Sequence, residues 1–70
     1  MSMKERAIEI INQHISDQMK IKLLVDLQLD CYNEMEAEDQ NMRPEIEHDL
    51  AEGYRLAGKY LDRLRQKRLH

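Results

Sequence analysis

Seventy residues, 36% of them charged and 41% hydrophobic, with no Trp or Phe and a net charge of −3, allow one small domain with an aliphatic core. Two glycines and a single proline exclude a turn-rich all-β fold, and no run approaches the roughly 20 apolar residues of a membrane span. Cys31 is the only cysteine, which excludes an intrachain disulfide and fits a reducing compartment. Met1 to Arg6 also lacks the apolar stretch of a signal peptide, so the expected location is cytoplasmic and no membrane partner is expected.

Ser2-Met3-Lys4-Glu5 has the spacing of a capping box. Behind it Met3, Ala7, Ile8, Ile11 and Ile15 recur at helical spacing, which predicts a first helix over about residues 3–15. Ser16 and Asp17 fit N-caps of a second helix, or equally a polar patch on one continuous helix; the sequence leaves the break open.

Residues 21–32 alternate apolar and polar as a half-buried strand would, yet on a helical wheel they also sort. Lys22, Asp26, Asp30 and Asn33 form one polar stripe, and only two positions are β-branched, so helix is the better reading, over about residues 17–40. The apolar arc of this helix spans roughly twice the usual width of about 100°. One neighbouring helix cannot cover it.

Asn41-Met42-Arg43 reads as a turn, and Pro44 suits the first position of a helix, where its missing N–H costs nothing. From there Ile46, Leu50, Gly53, Ala57, Tyr60 and Leu64 run at spacings of 4, 3, 4, 3 and 4, a heptad seam within a helix over about residues 44–69. The expected fold is therefore all-α: an antiparallel helical hairpin with an N-terminal helical segment, one domain over residues 1–70, assembling into a helical-bundle homo-oligomer. A core of this size supplies only about 3–5 kcal/mol alone, which favours a second copy. Leu24, Leu27, Cys31 and Met35 on the wide arc, with Ile46, Leu50, Gly53, Ala57, Tyr60 and Leu64 on the seam, are the expected oligomer interface.

Charge is segregated. Residues 34–52 carry eight acids against Arg43, and residues 53–70 carry six bases against Asp62. Such a gradient suits the dipole of the last helix. It would also set the acidic turn of one antiparallel hairpin beside the basic tail of another.

Three constellations bear on chemistry. Arg55, Lys59, Arg63 and Lys67 stand four residues apart, a basic stripe about 18 Å long that could follow phosphates, with Tyr54 beside it. Glu45-x-x-His48, near Asp49 and Glu52, has the spacing by which a helix offers ligands to a metal, with Glu34 and Glu38 across the hairpin. Glu36-x-x-Asp39 and Asp49-x-x-Glu52 resemble the paired acidic motifs with which helical nucleotide pyrophosphatases hold magnesium. The acidic side chains are more simply a solvated face, and neither a metal nor any other cofactor is expected. Cys31 lies in the apolar arc as a core thiol, and no nucleophile–base pair or Gly-rich phosphate loop is present.

The expected function is that of a small non-enzymatic binding or regulatory protein, of the kind found among plasmid and phage accessory regulators and inhibitors. It would act through an oligomeric helical surface on another macromolecule, most simply a protein. The alternatives are an RNA- or nucleotide-binding protein using the basic stripe, and a metal-dependent hydrolase using the acidic segment.

Overall fold

The computed structural model describes residues 2–37 and 43–68. Three helices, α1 (Met3–Asn12), α2 (Asp17–Ala37) and α3 (Pro44–Arg68), form an all-α arrangement with principal extents of 43 × 21 × 14 Å. α2 and α3 pair along their lengths, and α1 folds back across one side of that pair.

Each boundary has a local cause. Ser2, in extended conformation, accepts the Glu5 amide on its Oγ at 3.1 Å and opens α1 as an N-cap. α1 is shorter than its periodicity suggests. Gln13 turns extended, with ψ of 146°, so the chain breaks rather than kinks. Ile15 follows outside any helix. Ser16 restarts the chain: its Oγ accepts from Met19 N at 3.2 Å and its carbonyl from Lys20 N at 3.0 Å. Lys20 then reaches back, donating from Nζ to the Ile11 carbonyl at 2.9 Å, and so satisfies one of the carbonyls left free at the end of α1. Arg43 O receives the amides of both Ile46 and Glu47 at 3.0 Å, with Pro44 in the first turn of α3 as expected. The proposed end of α2 at residue 40, the turn residues 41 and 42, and Leu69 lie outside the described residues.

α1 is also anchored at its start by tertiary contact. The Asp49 carboxylate of α3 accepts the Met3 amide at 2.8 Å and the Lys4 amide at 3.3 Å. A carboxylate at this end meets the positive pole of the helix and two of its orphan donors at once. Gly53, one turn further along α3, makes room for the same segment: a Cβ there would stand 2.8 Å from Met3 Cβ and 3.0 Å from the Met3 carbonyl carbon.

The interior consists of Ala7, Leu24, Leu27, Cys31, Leu50, Ala57 and Leu61, with Leu64 buried toward the far end of α3. Met3, Ile10, Ile11, Ile21, Met35, Leu56 and Tyr60 pack around it, partly exposed. Most of the residues expected at a subunit interface are therefore covered within one chain: Leu24, Leu27, Cys31, Leu50, Gly53, Ala57 and Leu64 are buried, and Met35 and Tyr60 half-buried. The wide arc of α2 was expected to be too broad for one neighbouring helix, with a second copy covering the remainder; within the chain α1 takes up one flank of it. α1 is long enough to roof it, as the side chain of Ala7 and the Arg6–Asp30 ion pair at 3.8 Å show. Ile46, near the start of α3, stays exposed.

Candidate functional site

Among the described residues, an open surface lies on each side of α3 once α1 is seated. The four basic residues of the stripe do not share either. Steps of four residues overshoot a helical turn, so the stripe winds by about 40° at each step. Arg55 lies beside Glu52, 4.0 Å away on the next turn, and Lys67 pairs with Asp17 of α2 at 3.7 Å. Lys59 and Arg63 are exposed and in no ion pair among the described residues.

On the α1 side, Lys59 and Arg63 rim an open concavity of about 260 Å³ whose remaining walls are Ile11, Leu56 and Tyr60. Lys20 adds a third cation nearby, its Nζ 5.7 Å from the centroid of the Tyr60 ring, within cation–π range. Lys20 is already bound to the Ile11 carbonyl, so its charge is fixed in place, while Lys59 and Arg63 are free to turn toward a ligand. The arrangement offers apolar contact below and positive charge above.

On the opposite side α2 and α3 enclose an open groove of about 750 Å³, lined by Gln28, Met35, Tyr54, Arg55, Gly58 and Arg65 among others, and Lys59 stands on the rim of both this groove and the concavity. Gln28 spans its floor, donating its amide to the Tyr54 carbonyl at 3.2 Å. The α2 lip of this groove is apolar: Val25 is 43%, Leu29 57% and Tyr32 52% exposed, with Tyr54 42% exposed on α3. The Tyr32 hydroxyl donates to Glu36 Oε1 at 2.9 Å, and the hydrogen bond to that carboxylate, with its charge, pushes the phenol above its ordinary pKa.

The acidic segment assembles differently from its sequence reading. Asp49 is spent on the start of α1, Glu52 pairs with Arg55, and Glu45 and His48 are exposed. Glu38 and Asp39 lie outside the described residues. Among the described residues no group of three His, Cys, Asp or Glu side chains is gathered for a metal ion. Cys31 is buried, and burial first, then the negative charge of Asp49, pushes its thiol above the ordinary value. That is the opposite of what a nucleophilic cysteine needs.

Sequence reasoning missed Ile11 and Leu56 as walls of the concavity and Asp49 as an anchor of α1. Both depend on where α1 lies, and no local spacing signals that. Among the described residues no helix is long and apolar enough to cross a membrane. The described residues thus form an all-α, three-helix protein with an open surface on each side of α3. No family model, curated protein or solved structure matches it.

Proposed function

We propose that the protein is a small non-enzymatic binding or regulatory protein that works as a homo-oligomer and acts on another macromolecule through its helical surface. The observation that carries this reading is the α1–α3 concavity, where Lys59 and Arg63, in no ion pair among the described residues, flank Ile11, Leu56 and Tyr60. Cations above an apolar floor suit an acidic protein segment that carries an apolar side chain. The floor buries that side chain while the rim meets the acids, and such mixed contacts favour both affinity and on-rate. A polyphosphate chain would use the cations and leave the floor without a partner. The net charge of −3 also opposes a general attraction to nucleic acid.

The test is a fluorescence-anisotropy titration with an Asp/Glu-rich peptide carrying one Leu, run beside a single-stranded RNA oligonucleotide. The peptide should bind, bind less at high salt, and lose binding to the double variant Lys59→Glu/Arg63→Glu while circular dichroism stays helical. RNA binding that falls with the same variant would favour the nucleic-acid reading. Binding of neither probe would refute the proposed role of this surface.

A further inference from the structure

The exposed lip of α2 carries a second heptad pattern, separate from the one that builds the interior. Lys22, Val25, Leu29, Tyr32 and Glu36 follow one another at spacings of 3, 4, 3 and 4, and all five are exposed. Ordinary surface helices place polar residues at such positions; here three consecutive ones are apolar. α1 lies on the other flank of α2, so nothing among the described residues of the chain covers this strip.

The strip is symmetric about Leu29. Lys22 lies seven residues before it and Glu36 seven residues after it, each about 10 Å away along the helix axis. Val25 and Tyr32 lie on either side at nearly equal distances. We infer that α2 pairs with α2 of a second copy, antiparallel, about a two-fold axis at Leu29. In that register Leu29 meets its own counterpart, Val25 meets Tyr32 of the second copy twice, and Lys22 meets Glu36 of the second copy twice.

Charge chooses the direction. A parallel pair would set Lys22 against Lys22 and Glu36 against Glu36, whereas the antiparallel pair makes two opposite-charge contacts. On α3, Glu47 is exposed near the turn end, while the charged lining of the groove further along is Arg55, Lys59, Asp62 and Arg65. The Tyr32–Glu36 hydrogen bond already holds Glu36 beside the strip.

A stable interface needs about 800 Å² from each partner, more than three side chains provide. The second helix must therefore also cover the α3 rim of the groove, where Ala51 and Tyr54 are exposed beside Arg55 and Arg65. A two-fold pair on this side leaves Ile11, Leu56, Tyr60 and Arg63 of each concavity facing outward, with Lys59 on the edge between the two surfaces.

This inference rests on the homo-oligomer part of the proposed function, and the experiment separates the two. Light scattering on wild type should give twice the chain mass at micromolar concentration. Lys22→Glu and Glu36→Lys should each shift the protein toward monomer while it stays helical, and the two together should restore the dimer. Within one chain those residues are about 21 Å apart, so rescue cannot arise inside a monomer. In a Cys31→Ala background, Leu29→Cys should form a covalent dimer with a short bismaleimide, and Met19→Cys, on another face of α2, should not. A monomeric wild type would overturn both the oligomer and this register. An oligomeric wild type with no charge-swap rescue, or with Leu29→Cys left uncoupled, would overturn the register alone.

Discussion

Replacing Gly53 and, separately, Gly58 by alanine sets one term against another in the same helix. Both glycines sit inside α3, so each substitution gains about 0.8–1.0 kcal/mol of helix propensity. At Gly53 the new Cβ would stand 2.8 Å from Met3 Cβ and 3.0 and 3.1 Å from the Met3 backbone carbon and oxygen. Ordinary carbon contacts lie at about 3.5–4.0 Å, and backbone atoms cannot rotate aside as a side chain can. α1 would have to lift, which would also stretch the Met3–Asp49 hydrogen bond. Overpacking of this kind costs roughly 1–3 kcal/mol, so Gly53→Ala should come out destabilised by up to about 2 kcal/mol after the propensity gain. At Gly58 the only neighbour inside 4 Å is Gln28 Nε2 at 3.0 Å, the end of a flexible side chain. Gln28 can swing away for the loss of one exposed hydrogen bond, about 0.5 kcal/mol at the low end of such bonds, leaving Gly58→Ala neutral or slightly stabilised. Urea denaturation followed by circular dichroism, at matched protein concentration because association adds to apparent stability, measures both. If Gly53→Ala gained as much stability as Gly58→Ala, α1 would not be seated against Gly53 and the packing described above would be wrong.

Two further outcomes follow from the way α1 and the interior are held. Asp49→Ala removes the acceptor of two amides at the start of α1 and should cost roughly 0.5–2 kcal/mol, as loss of an N-cap does, with Asp49→Asn costing less; urea midpoints decide this. Cys31, whose pKa is raised in the folded state, keeps its proton at pH values where the unfolded chain loses it. Its contribution to stability is therefore complete below the ordinary thiol pKa and declines as pH rises above it, a slope that Cys31→Ala should remove. The thiol should react with a chromogenic disulfide reagent only as fast as the chain opens.

The helical class was legible because Ser2, Pro44 and the 4-3-4-3-4 seam from Ile46 to Leu64 are local signals with local causes. The break after Asn12 was not. Ser16 and Asp17 serve equally as a cap or as surface, and what tips the balance is Lys20 reaching back to Ile11 across nine residues. The placement of α1 was still less accessible, since it depends on Asp49 and Gly53, 46 and 50 positions from Met3. Without α1 in place, Gly53 and Ala57 read as contacts for a second copy, and the basic stripe read as one surface. Its winding about α3 became visible only against α1 and α2: Arg55 lines the groove, Arg63 the concavity, Lys59 both, and Lys67 pairs with Asp17.

That division leaves a surface on each side of α3. α1 packs over one side of the α2–α3 pair, adding Ala7 and Met3 to the cluster that holds Leu24, Leu27 and Ala57. What it leaves there is a concavity defined by charge, Lys59 and Arg63 over Tyr60. The other side keeps the uncovered part of the α2 arc, Val25, Leu29 and Tyr32, bracketed by Lys22 and Glu36. The apolar strip carries both signs at its ends, Lys22 and Glu36, and so fits the proposed pairing with a second copy, whereas Lys59 and Arg63, in no ion pair among the described residues, fit the proposed acidic partner.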